Sequence, residues 1–140
     1  GAVRVSSPVT SVSFGGENGL FRRTPKNRIV HLPVGRYRLE RWELRRKDKE
    51  GVTWQAYGRG RAKGFEVAQG MVTPFTMGEP LISSLVISRE GDQYKVDSKL
   101  AGQAGEGVST WRNGHFDRSS KLVMTNAAET YRRDYQFEYT

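Results

Sequence analysis

Cysteine is absent from the 140 residues. That excludes a disulfide framework and any thiolate zinc site. Histidine occurs twice, too few for an all-histidine metal centre. No apolar run approaches the ~18 residues that a membrane-spanning helix needs. Proline is sparse, at five residues, and only 36% of the chain is apolar, a low share for a globular domain. The aromatics (3 Trp, 6 Tyr and 6 Phe) nonetheless argue against a disordered polymer. Sixteen glycines imply many turns. The length suits a single domain spanning residues 1–140, with no linker or internal repeat to divide it.

Positive charge is what the chain has in excess. It carries 23 basic and 15 acidic groups, a net +8. Residues 1–70 hold 15 basic and 6 acidic groups (+9), whereas residues 71–140 hold 8 and 9 (−1). Nine basic residues lie between Arg22 and Arg46, against only Glu40 and Glu43. Such asymmetry suits an anionic partner. It also suits a β domain that sets long charged side chains on its solvent face and pairs them with Glu40, Glu43 and Glu66.

The chain starts with Gly rather than Met, and it ends inside the alternation of Tyr135, Phe137 and Tyr139. Both features lead us to expect a processed part of a longer chain, with any signal peptide already removed. The expected setting is periplasmic or extracellular, with the cytoplasm left open.

Hydrophobic periodicity is mostly two, which predicts strands. Leu81, Leu85 and Ile87 share one parity, and Tyr94, Val96 and Leu100 the other. An antiparallel hairpin with a four-residue loop, residues 89–92, puts Ile87 opposite Tyr94 and Leu85 opposite Val96 on one apolar face. Upstream, Tyr37 and Leu39 are odd but Trp42 and Leu44 are even, so a β-bulge is expected near Glu40 and Arg41. A three-residue loop, Lys49-Glu50-Gly51, then pairs Leu44 with Ala56, with Gly51 in the left-handed conformation. Trp42 and Trp54 fall on the same face, predicted to be core. A helix over 36–49 is disfavoured, because Leu39 and Trp42 would lie nearly opposite Tyr37 and Leu44. Shorter strands are read at 9–14, 28–32, 65–67 and 71–77, near Leu122 and Met124, and at 135–139. The expectation is an all-β antiparallel sandwich, prealbumin-like or Ig-like, of seven to nine short strands.

The segment His31-Leu32-Pro33-Val34-Gly35-Arg36-Tyr37-Arg38-Leu39 resembles the L-P-x-G-x-Y-x-L segment of transthyretin-like and carboxypeptidase-regulatory-like β-sandwich modules. Residues 72–81 are loosely similar to the linker before a second strand pair in such modules. The resemblance implies a non-catalytic module with a structural, adhesive or binding role. The high arginine content and the glycine-rich stretch at 101–107 depart from that pattern.

Four groups of residues are candidates for chemistry. Arg59, Arg61 and Lys63 alternate with glycine over 58–64, a flexible stretch able to track an anionic backbone or to serve as a charged surface loop. Arg22, Arg23, Lys26 and Arg28 cluster beside Phe21, as a polyanion site would, or as an exposed connection would. Gly102, Gly105 and Gly107 have the wrong order for a dinucleotide fingerprint and no lysine for a phosphate loop, so they read as a strand connection. His115 and Asp117 are two apart, but nothing local completes a triad or a metal site. Trp111 is the tryptophan most expected to be exposed for ligand stacking, and the remaining aromatics suit a core.

No cofactor and no metal is implied, and no nucleophile–base pair stands out. The leading expectation is a non-enzymatic extracytoplasmic module with a structural or binding role. The second is a polyanion-binding domain, for nucleic acid or acidic polysaccharide, built on the basic N-terminal half. The partner would be another protein or an anionic polymer.

Overall fold

Period-two alternation runs through nearly every segment, and the backbone follows it with strands alone. The computed structural model describes residues 1–60 and 63–138 and contains 14 strands and no helix among them. No helix is therefore long and apolar enough to cross a membrane among the described residues.

Three sheets form. In the smallest packed layer, β1 (Ala2–Val5) runs antiparallel to β4 (Ile29–His31) and parallel to β8 (Val72–Phe75). A nine-stranded sheet has the path β3 (Gly19–Arg23), β2 (Ser11–Gly16), β5 (Gly35–Lys47), β6 (Thr53–Arg59), β11 (Gly107–Arg112), β10 (Gln93–Ala101) and β9 (Ile82–Glu90). Off that path, β7 (Phe65–Val67) pairs with β5, and β12 (His115–Phe116) pairs with β11. The C-terminal strands β13 (Lys121–Thr125) and β14 (Arg132–Gln136) make a separate two-stranded sheet.

The three-stranded sheet covers the N-terminal part of the large one, giving the sandwich. Val3 and Val5 of β1 and Val30 of β4 share one buried cluster with Val12, Phe14, Tyr37, Leu39 and Trp42. Phe75 of β8 stands edge-on to Phe14, at 5.9 Å, and lies 4.7 Å from Phe65. These rings join the two layers, and each buried apolar side chain contributes about 1.5–3 kcal/mol. Tyr37 is buried too, and its hydroxyl donates to the Pro33 carbonyl at 2.7 Å. That bond ties the Pro33–Gly35 turn to the strand it enters.

The β5–β6 hairpin is built as its periodicity requires. Leu44 faces Ala56, Trp42 faces Gly58, and Gly51 has φ 81°. Ser13 opposes Arg41 while Phe14 opposes Leu39, which leaves Glu40 as the extra residue of a bulge. The bulge explains why apolar parity switches along β5: it rotates the chain so that Leu39 and Trp42 both point into the core.

Four expectations need correction. Fourteen strands replace seven to nine, because β1, β3, β11 and β12 carry weak apolar alternation and are held by pairing with distant segments. In the β9–β10 hairpin, Ile87 faces Val96 and Tyr94 faces Arg89, a shift of two residues from the expected register. The loop has two residues rather than four, since Gly91 at φ 62° supplies the first position of a type II′ turn. A shift of two preserves the face but not the partners. The apolar face of this hairpin is also uncovered, with Leu85, Ile87 and Tyr94 at 50%, 65% and 68% exposure. Finally, Trp54 is only half-buried. It shares a face with Trp42 but sits near the hairpin's open end, with Nε1 donating to Asp48 Oδ2 at 3.0 Å and Arg112 5.6 Å over its ring. That hydrogen bond, with those from the Glu50 and Val52 amides and the nearby Arg112, holds the Asp48 carboxyl below its usual range.

One buried acid stands out. Glu106, 1% exposed, accepts from the Gly78 N–H at 3.2 Å and the Ala104 N–H at 3.4 Å, so it ties the β10–β11 connection to the chain before β9. Burial pushes its carboxyl above the ordinary 4.5, against the two amide bonds and the nearby Trp42 indole. The folded protein therefore keeps this proton at a pH where the unfolded chain has released it. This contribution to stability falls as pH rises from 4.5 towards the folded value, and is constant beyond it. Glu106→Gln is expected to flatten that part of the stability profile, measured by urea unfolding across pH 4 to 8. An unchanged slope would contradict the assignment.

Candidate polyanion interface

Strand register brings basic residues from distant segments into one row. On the face of the large sheet turned away from the covering layer, Arg22 opposes Ser13, Ser13 opposes Arg41, Arg41 opposes Arg59, Arg59 opposes Gly107, and Gly107 opposes Ala101. Directly opposite residues share a face, so the three arginines project together. Neighbouring strands lie ~4.8 Å apart, which sets Arg41 and Arg59 side by side and Arg22 about 10 Å further along the row.

Parallel rows supply the floor. Tyr57 opposes Glu43 and Ser109, and Trp111 opposes Gln55 and Phe116. The Tyr57 and Trp111 rings meet edge-on at 6.5 Å, and Trp111 and Phe116 at 5.7 Å. The Arg41 guanidinium sits 4.9 Å over the Tyr57 ring. Arg41, Tyr57, Arg59, Lys99 and Trp111 line an open trough of about 990 Å³. Arg41 also lines a smaller depression of about 310 Å³ that contains Arg22. Arg41 thus borders both hollows: the larger has the aromatic floor, and the smaller is also lined by Glu40 and Glu43.

The carboxylates of β5 and β7 on this face are already matched to other arginines. Glu66 lies 3.9 Å from Arg36, Glu40 3.1 Å from Arg38, and Glu43 3.4 Å from Arg45. Among the described residues, no carboxylate lies within 4.0 Å of Arg22, Arg41, Arg59 or Lys99. Exposed pairs of this kind contribute about 0–1 kcal/mol each, so their main effect is to dilute the field locally.

The candidate residues named from the sequence separate. Arg22, Arg59 and Trp111 come together on this face. Arg23 does not: its alternation sends it the other way, where its Nε donates to the His31 carbonyl at 3.4 Å and its guanidinium lies 5.1 Å from the Phe21 ring. Lys26 and Arg28 are exposed in the β3–β4 turn, where Arg28 has φ 64°. Lys63 is exposed in the connection to β7, and Arg61 lies outside the described residues. Trp111 is half-buried rather than exposed, because Tyr57 and Phe116 flank it. Arg41, Tyr57 and Lys99 were not singled out from the sequence. The β5–β6 register carried the signal for the first two, since the pairing that matches Leu44 with Ala56 also matches Arg41 with Arg59.

The other candidates stay apart from this site. His115 is exposed at the start of β12, and Asp117 Oδ1 accepts the Ser119 N–H at 3.0 Å, closing a turn. Residues 102–106 form the tight connection between β10 and β11. No group of three His, Asp or Glu side chains able to hold a metal occurs among the described residues.

No family model matches the chain, and neither a curated protein nor a solved structure matches it.

Proposed function

We propose that this chain is a non-enzymatic β-sandwich binding module that holds an anionic polymer along the outer face of its large sheet. The observation that carries the reading is the row of Arg22, Arg41 and Arg59, none of them engaged by a carboxylate, beside the Tyr57–Trp111 floor. Guanidinium groups bind sulfate, carboxylate or phosphate oxygens bidentately, and the ring floor takes the flat face of a sugar or base. The resemblance of residues 32–39 to transthyretin-like modules supports a binding role.

The test is binding of the whole chain to heparin and to a single-stranded oligonucleotide over a salt series. Three to four neutralised anionic groups give log affinity against log salt a slope of about −2 to −3 on a single strand. The tighter ligand names the polymer class. Absence of binding to both at low salt, or affinity indifferent to salt, would overturn the proposal.

A further inference from the structure

We propose that the free edge of β9 pairs with β9 of a second copy of this chain, related by a two-fold axis at Val86. The large sheet ends at β9, and all nine of its residues are exposed. In a two-residue turn, Glu90 and Gln93 form the closing hydrogen-bonded pair. Ile82, Ser84, Val86 and Ser88 therefore bond to β10. Ser83, Leu85, Ile87 and Arg89 direct their N–H and C=O groups outward, away from the sheet. Natural edges are blunted by proline, lysine, inward charges or bulges. Residues 82–88 contain no proline and no charge, and their pairing with β10 is unbroken.

The side-chain face is equally bare. The inner face of the large sheet continues past the covering layer, so that Leu85, Ile87 and Tyr94 remain open. Among the described residues, the C-terminal hairpin approaches, across a cleft of about 770 Å³ bounded by Tyr94, Val96, Leu122, Met124 and Tyr135. A two-stranded projection with an uncovered apolar face is marginal alone and gains from a third strand.

Three observations select a second copy as the occupant. The first is charge. Residues 81–101 contain Arg89, Lys95 and Lys99 against Glu90, Asp92 and Asp97, a net of zero, while residues 1–70 carry +9. Pairing through β9 joins neutral regions and keeps the two basic halves at opposite ends. The second is register. An antiparallel pairing centred on Val86 sets Leu85 against Ile87, Ser83 against Arg89, Ser84 against Ser88 and Ile82 against Glu90. No like charges meet, and every outward backbone group of residues 83, 85, 87 and 89 finds its complement. The third is the side-chain face. Leu85, Ile87 and Tyr94, at 50%, 65% and 68% exposure, lie on one face, and there Leu85 meets Ile87 of the second copy, so each copy covers part of the other's apolar edge.

The dimer does not depend on polymer binding, and its test uses the free chain. Sedimentation equilibrium of the whole protein is expected to show a reversible dimer. Ile87→Pro removes one outward N–H while leaving the bonds to β10 in place. It should weaken the dimer by about tenfold or more, as losing roughly one or two intermolecular hydrogen bonds would. Because the chain lacks cysteine, Val86→Cys gives a second reading that survives a poorly folded proline variant. Residues facing each other across the axis lie ~4.5 Å apart at Cα, within the ~4.4–6.8 Å span of a disulfide. Mild oxidation should therefore yield a covalent dimer. Ser84→Cys, whose symmetry mates would lie ~13 Å apart along the strands, should not cross-link. A monomer at all concentrations, a dimer indifferent to Ile87→Pro, or equal cross-linking at 84 and 86 would each overturn the proposal.

Discussion

Replacing Trp42 by alanine is expected to lower the unfolding free energy by about 3–5 kcal/mol, the range for removing a large aromatic from a packed core. Trp42 is 1% exposed and lies among Val12, Leu39, Leu44 and the rest of the buried cluster. Its position is enforced from the neighbouring strand. Gly58 is its cross-strand partner, and a Cβ there would collide with the indole. Gly58→Ala should therefore also destabilise, by overpacking, at roughly 1–3 kcal/mol. Trp54→Ala is the informative comparison. That ring shares the face but is half-buried and held by Asp48 and Arg112, so it should lose roughly 1 kcal/mol, the scale of its one net hydrogen bond. Urea unfolding followed by circular dichroism separates the cases. Equal losses at the two tryptophans would mean that the core extends to the hairpin's end, contrary to the structure.

The contrast between these two tryptophans shows what could be read in the sequence. Parity told that both lie on one face, and the three-residue loop ending in Gly51 set the β5–β6 register. The bulge at Glu40 was legible from the phase slip between Leu39 and Trp42. Parity does not say which stretch of a face is covered. Leu85, Ile87 and Tyr94 alternate as cleanly as any core strand, yet among the described residues no layer packs over them as the three-stranded sheet packs over Trp42. Coverage depends on β1, β4 and β8 assembling from segments some 70 residues apart, with β1 and β8 parallel, and local patterning holds no trace of that. Register in β9–β10 failed for a related reason. Loops of two and four residues give the same faces, and only the conformation of Gly91 distinguishes them. The candidate site divides along the same line. Arg41 beside Arg59 was implicit in a local hairpin, whereas Trp111 and Lys99 join them only because β11 pairs with β6 across some 50 residues.

The largest functional effect is expected from neutralising the arginine row. Changing Arg22, Arg41 and Arg59 together to glutamine removes the three guanidinium groups that share one row and have no carboxylate within 4.0 Å among the described residues. Each lost anion contact lowers the salt slope by about 0.7 on a single strand, so the triple change should flatten it by about 2 and leave binding close to background at moderate salt. Stability should change little, because all three side chains are exposed. Net charge alone cannot mimic the result. Arg36, Arg38 and Arg45 are also exposed, and each is paired with Glu66, Glu40 or Glu43. Converting those three would free Glu40 and Glu43 beside Arg22 and Arg41, so the second variant instead takes Lys26, Arg28 and Lys63, exposed outside the row, to glutamine and subtracts the same charge. A polymer held by that row should still bind the second variant with most of its slope. A polymer attracted only by the overall charge would lose the two variants equally, and the site would then be the whole basic half rather than this row. Arg41→Lys refines the assignment: it keeps the charge but not the planar group over the Tyr57 ring. If stacking orders the Arg41 fork for a bidentate contact, the lysine variant should retain the salt slope and lose affinity by several-fold, on the order of the ~0.5–1 kcal/mol of an exposed cation–π contact.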